Sequence, residues 1–283
     1  MTLRISVLRG VCQIPIYVAH DRGFLEREGV ASELVVESTA WLAPSRLHSG
    51  DTQFAVIPWT RVAASSGSEA PLVLVCGSGC EEAAIVVRRG LDPREVRRVA
   101  VPVRGGMKDL TAMGLLESLG WQGAELVRMP SGDGAIVALF GQGVDAASMV
   151  EPYATMLEEL GVGTVVRRTG DVWKGAPGCS LCTTRRLRDQ DPELVQRVVR
   201  AHVRAARYAD EHRAESAEVA ARYIGVSPRF ILAALERNRP DMDAIRNQEA
   251  MERILALMTR LGYLPQPPSD YADLRFLDRA AEK

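Results

Sequence analysis

The sequence predicts an α/β protein of two lobes, with a ligand cleft between them and a helical section towards the C-terminus. Three observations carry this. Short apolar runs alternate with helix-like segments through the first two-thirds of the 283 residues. Two stretches about ninety residues apart, "LHSGDTQFAVIPW" (Leu47–Trp59) and "LFGQGVDAASMVEPY" (Leu139–Tyr153), share one plan: helix end, glycine turn, short strand, then proline beside an aromatic residue. From Pro192 onward the chain is almost wholly helical in pattern.

The elements follow in order. "LRISVLR" alternates and suits a strand, and "IPIYVAHDRGFLEREGV" reads as one helix closed near Gly29. "SELVVES" is a strand, "APSRLHSG" a short helix stopped by Gly50, and "QFAVIP" a third strand. Such β-α-β-α-β order implies parallel strands covered by helices. "PLVLVCGS" and "EAAIVVRR" are apolar runs around a turn near Gly79, and the polar "GLDPREVRR" leads into a second unit. That unit has strands at "VRRVAVPV", "AELVRMP", "AASMVEP" and "GTVVRRT", with helices from Lys108 to Leu119, at "DGAIVALFGQG" and at "YATMLEELG". "GCSLCTT" returns to strand. Asp191 then caps a long helix with Pro192 at its first position, and three shorter helices follow. The proline-punctuated tail from Pro265 is expected to wrap the surface. The expected domains are residues 1–90 with 176–283, and residues 91–175.

Composition excludes several classes. The formal net charge of −1 gives no electrostatic basis for nucleic acid or an anionic membrane as partner. Aromatic residues are 5% of the chain, too few for base-stacking platforms. No apolar stretch is long enough to span a bilayer. The start, "MTLRISVLRGVCQIPIYVAH", enters a strand pattern without the features of an export signal. A cytoplasmic protein is the expectation for the sequence as it stands, and an extracytoplasmic one if a signal has been removed.

Ligands of open α/β sheets sit outside the carboxyl ends of the strands. That rule puts Pro58, Trp59 and Thr60 on one wall of the cleft and Glu151 and Tyr153 on the other. Cys12, with Gln13 beside it, lies at the end of the first strand, and Thr39 and Trp41 in the next such loop. Trp41 and Trp59 suit the apolar wall of a site, or core packing at loop bases. Gly105, Gly106 and Lys108 open a helix where backbone amides and an ammonium would favour an anion. Ser131 and Asp133 open the next helix, as polar contacts or as caps. Glu151 could meet a ligand amine or bridge the lobes.

Five cysteines, an odd number, give no disulfide framework. Cys76 and Cys80, and Cys179 and Cys182, invite a metal reading. However, residues three apart on a strand face opposite ways, which argues against chelation by Cys179 and Cys182. No metal and no cofactor are expected. Of the histidines, His20, His202 and His212 fall on helices, and only His48 is near the cleft.

"IPIYVAHDRGFLEREGV", "LHSGDTQFAVIP", "LFGQGVDAASMVEPY" and "DPELVQRVVRAHVRAARYADEH" together resemble the solute-binding proteins of ABC importers for nitrate, alkanesulfonates and thiamine-pyrimidine precursors. The resemblance spans nearly the whole chain. It implies a type II periplasmic-binding-protein fold, hinge closure on a small organic anion or zwitterion, and a transporter permease as partner. The superfamily also holds enzymes. Cys12 in "RGVCQIP" and Arg46 are placed similarly to the cysteine and arginine of the sulfinate desulfinases, which implies carbon–sulfur cleavage as an alternative. The histidine of that branch has no counterpart at Thr39–Trp41, and His48 lies one helical turn away. Cofactor chemistry at Lys108 is a further alternative, drawn from the pyridoxal-phosphate-dependent pyrimidine synthases, whose iron-binding cysteine run is absent here.

Overall fold

Ten strands form two five-stranded sheets in the computed structural model, which describes residues 2–103, 107–129 and 132–281. They are β1 (Leu3–Val7), β2 (Ser32–Val36), β3 (Phe54–Pro58), β4 (Leu72–Gly77), β5 (Ala83–Arg88), β6 (Arg98–Pro102), β7 (Glu125–Met129), β8 (Ala146–Val150), β9 (Gly163–Arg168) and β10 (Cys179–Thr184). The first sheet has the order β2-β1-β3-β10-β4 and the second β7-β6-β8-β5-β9. In the first, β1 runs parallel to β2 and β3, while β10 is antiparallel to β3 and β4. In the second, β6 runs parallel to β7 and β8, while β5 is antiparallel to β8 and β9. The sheets therefore share one plan, and the repeated sequence gesture occupies the same place in each, at the ends of β3 and β8.

β5 follows β4 out of the first lobe, and β10 follows β9 back into it. Strand Ala83–Arg88, expected with the first lobe, thus stands in the second sheet. Its apolar run "AAIVV" is buried between β8 and β9, where a strand covered on both faces gains most from it. The two crossings pair with each other: Glu81 N–H donates to Ala176 O at 3.0 Å and Gly178 N–H to Gly79 O at 2.8 Å.

Two other expectations change. The first helix breaks into Ile14–Asp21 and Phe24–Arg27, because Gly23 takes a left-handed conformation (φ 69°) between them. The tail does more than wrap the surface. It forms a bridge from Ala272 to Leu74 and a helix, Arg275–Ala281, that buries Phe276 and Leu277 against helix Pro192–Glu211.

The C-terminal helices also touch both lobes. Pro192–Glu211 packs on Ile14–Asp21 of the first lobe. Arg237 and Arg260 pair with Glu158 (2.8 Å) and Glu117 (2.6 Å) of the second.

His202, on the long helix, is fully buried, and its Nε2 lies 3.2 Å from Gly77 O, so the neutral ring donates there. Its Nδ1 has no partner, so protonation would bury an unsatisfied N–H. Burial pulls the pKa down to about 4. The folded value lies below the unfolded one, so this contribution to stability is complete above about pH 6.5 and is lost as pH falls towards 4. The expected loss is on the order of 3 kcal/mol across that window. His202→Gln keeps a donor without titrating. Urea unfolding at stepped pH should show a shallower decline for it than for the wild type.

Candidate functional site

A cavity of about 250 Å³ opens between the carboxyl ends of the parallel strands of both sheets. Its first-lobe wall comes from Leu8 and Arg9 after β1, Glu37 to Trp41 after β2, and Pro58 and Arg61 after β3. The facing wall comes from Val101 and Pro102 at the end of β6 and Val103 after it, Met129 at the end of β7, and Ser148, Met149 and Val150 of β8. Asp133, Ala135 and Tyr153 complete it from the following helices. One wall is polar and cationic, and the other is largely apolar.

Two guanidinium groups dominate the first wall. Arg61 has its Cζ 3.7 Å from the centre of the Trp41 ring, a cation–π stack. No carboxylate pairs with it among the described residues, its Nε is buried without a partner, and burial lowers its pKa to about 10. It is therefore a charged, partly desolvated group held ready beside the cavity. Arg9 is exposed, and it too has no ion-pair partner among the described residues. Its loop is braced from beneath. Gln13 Oε1 accepts from Leu8 N–H at 3.2 Å, and the buried Tyr17 hydroxyl donates to Leu8 O.

Glu37 also lines the cavity, but it is committed. Its carboxylate accepts from Ser6 Oγ at 2.8 Å and sits 2.9 Å from Arg46 Nε. On the facing side, burial pushes the Tyr153 hydroxyl above its usual pKa, and Asp133 adds to the rise. Tyr153 thus stays a neutral donor at ordinary pH.

Of the residues expected at the site, Thr39, Trp41, Pro58, Asp133 and Tyr153 line this cavity. Gly105, Gly106, Ser131 and the side chain of Lys108 lie outside the described residues. The other expected residues, Cys12, Gln13, Trp59, Thr60 and Glu151, are buried and do not line this cavity. Trp59 is wholly buried and stacks near Tyr271 (ring centres 6.0 Å apart), and Thr60 is buried beside it. Residues two apart on a helix point to nearly opposite sides, so Trp59 turns inward and Arg61 turns to the cleft. Gln13 is a loop brace. Glu151 is buried and accepts from Arg168 Nη1 at 2.6 Å and from Thr155 N–H at 3.0 Å. It joins the lobes through its backbone, with Val11 N–H donating to Glu151 O at 3.2 Å.

The desulfinase-like trio is not assembled. Cys12 is buried, and its side-chain contacts run to Gln13, Cys179 and Glu82. Arg46 is turned to Glu37, and His48 is exposed on the far end of its helix. Burial pushes the Cys12 thiol up, away from the thiolate a nucleophile requires.

Arg61, Arg9, Ser148 and the methionines were not singled out from sequence. For Arg61, the sequence signal is its place directly after "AVIPWT", at the carboxyl end of a strand.

The two matched sheets, the paired crossings and the cleft at the strand ends define a two-lobed protein of the periplasmic-binding-protein fold. Within that class the chain belongs to the NMT1-like family, whose model matches residues 1–225. No curated protein matches it. Among solved structures, it is similar to the ligand-binding component of an ABC-type import system from Staphylococcus aureus, at 18% identity and TM-score 0.87, over 100% of both chains. It is similar to the periplasmic nitrate-binding protein NrtA of Synechocystis, at 16% identity and TM-score 0.84, over 99% of this chain and 88% of that one. The alkanesulfonate-binding protein SsuA of Xanthomonas axonopodis, bound to MOPS, matches at 17% identity and TM-score 0.77, over 96% and 98%.

Proposed function

We propose that the protein reversibly binds a small organic anion in the cleft, as the solute-receiving component of an ABC-type importer. The observation that carries this reading is the desolvated guanidinium of Arg61, stacked on Trp41 and without a carboxylate partner among the described residues. A buried cation without a counter-charge is costly to keep, and a bound anion would relieve that cost. Arg9 would add a second positive charge from the same wall. The facing wall of Val101, Met129, Met149 and Val150 suits an apolar body rather than a bare inorganic ion. The volume of about 250 Å³, at the small end for ligand sites, suits a compact body.

Short alkanesulfonates and carboxylates therefore fit, the first in keeping with the alkanesulfonate-binding protein among the structural neighbours. Asp133 offers a position for an ammonium group, which would admit zwitterions as well. The importer role implies a permease partner and a place outside the cytoplasmic membrane. No helix among the described residues is long and apolar enough to cross a membrane.

The test is calorimetric titration with matched short-chain sulfonates, carboxylates and primary amines, followed by nitrate. Binding of the organic anions at micromolar levels, with the simple amines silent, is the expected result. Preference for amines would overturn the reading. Trp41→Ala should weaken the best anion by roughly 2 kcal/mol, because it removes both an aromatic anchor and the support of Arg61.

A further inference from the structure

Cys12, Glu82 and Cys179 are far apart in sequence, and they converge where the two crossings meet the loop after β1. One sulfur from each cysteine and one carboxylate oxygen all lie within 4.8 Å of one another. Cys179 Sγ is 3.3 Å from Glu82 Oε1, which also accepts from Cys179 N–H at 3.1 Å. The other oxygen, Oε2, is buried without a hydrogen-bond partner among the described residues, on a residue only 9% exposed. Two glycines make the approach possible. A Cβ on Gly79 would come within 2.8 Å of Cys12 Cβ, and one on Gly178 within 2.7 Å of the Glu82 carboxyl carbon.

We infer that these three side chains form a binding site for a thiophilic divalent cation of the zinc type. Tetrahedral zinc holds sulfur at about 2.3 Å and carboxylate oxygen at about 2.0–2.2 Å, which places sulfur and oxygen about 3.5 Å apart. The spacing of Cys179 and Glu82 is already near that value, and the orphaned oxygen gains a partner. Binding displaces one proton from each thiol to solvent, and no oxidation is involved. Three protein ligands leave the fourth position for water or an added ligand, as in exchangeable rather than purely structural sites. Gln13 Nε2, 3.4 Å from Cys12 Sγ, would donate to the thiolate from outside the ligand set.

Glu82 and Gly178 border a void of about 10 Å³ whose other walls include Pro58 and Val150, and these two residues also line the large cavity. The site does not depend on what the large cavity binds. Its position on both crossings means that an ion there would fasten the hinge segments to the first lobe.

The experiment uses cobalt(II) as a spectroscopic stand-in, titrated into the reduced full-length protein. One equivalent should produce a thiolate-to-cobalt charge-transfer band, and zinc should bleach it. Cys12→Ser and Cys179→Ser should each remove about half the band intensity or more, and Glu82→Gln should weaken affinity at least tenfold. Cys80→Ser should leave the band intact. Should the cysteine variants fail to fold, zinc protection of the wild type from alkylation gives the answer by site-resolved mass spectrometry. Slower labelling at Cys12 and Cys179, with Cys80 unchanged, supports the site. A missing band, a band that survives the double substitution, or uniform labelling with and without zinc would overturn it. So would isolation of a Cys12–Cys179 disulfide as the only change at this cluster.

Discussion

Arg61→Met should abolish high-affinity anion binding and, in the same molecule, make the ligand-free protein more stable. The opposite signs share one cause. The guanidinium is charged and partly desolvated, with its Nε lacking a partner among the described residues, and burial has lowered its pKa to about 10. Removing the cation that meets a buried anion is expected to cost on the order of 3 kcal/mol, somewhat over a hundredfold in Kd. Without ligand, the same charge is a burden only partly offset by its stack on Trp41, so methionine should raise unfolding free energy by about 1 kcal/mol.

The pH sign follows from linkage. A base whose folded pKa lies below its unfolded value destabilises the fold wherever it is charged, and is relieved only as pH rises through 10. The gain from methionine should therefore be flat between about pH 5 and pH 9. Arg61→Lys keeps the charge but loses the planar fork, and should fall between the two in affinity. Calorimetry and urea unfolding on the three proteins check this. Unchanged affinity with unchanged stability would remove Arg61 from the site.

The architecture was largely legible in sequence because it rests on periodicity and repetition. The glycine-strand-proline gesture at Leu47–Trp59 and Leu139–Tyr153 does mark equivalent strands of two matched sheets. The placement of β5 was not legible, since an all-apolar run suits a central strand of either sheet equally. At the site, loop position alone could not separate Trp41 from Trp59. Both follow strand ends, yet Trp41, in the turn ahead of helix Leu42–Ser49, is 47% exposed, while Trp59, the first residue of helix Trp59–Ala64, is wholly buried. Arg61 was masked by company: the chain carries 35 basic residues, and one in the first turn of a short helix reads as surface. What distinguishes it is the missing counter-charge, which only three dimensions display. The Cys12–Glu82–Cys179 cluster is hidden for a related reason. Its members are separated by 70 and 97 positions, whereas the cysteine pairs that are close in sequence suggested other combinations.

A large stability effect is expected from substitution at Arg168. Its guanidinium reaches the carboxylate of Glu151, which is 1% exposed, at 2.6 Å, and it also lies 3.5 Å from Glu158. Arg168→Met would take the guanidinium from the buried Glu151 carboxyl and leave it the Thr155 N–H as partner among the described residues, at an expected cost of about 3 kcal/mol. Glu151→Gln should cost less, because the amide keeps an acceptor for that N–H and Arg168 keeps Glu158. The double variant should recover part of the loss seen with Arg168→Met, since the unpaired carboxylate is gone, and this coupling is what a double-mutant cycle measures.

The same variants decide what Glu151 is for. As a brace beneath the cleft, it should affect the fold while anion affinity in Glu151→Gln stays within about threefold of the wild type. Were Glu151 instead to receive a ligand ammonium, Glu151→Gln would lose a zwitterion at least tenfold and leave a simple anion unchanged. The buried ion pair favours the first outcome, because a carboxylate already holding a guanidinium and a backbone amide has little left to offer a ligand.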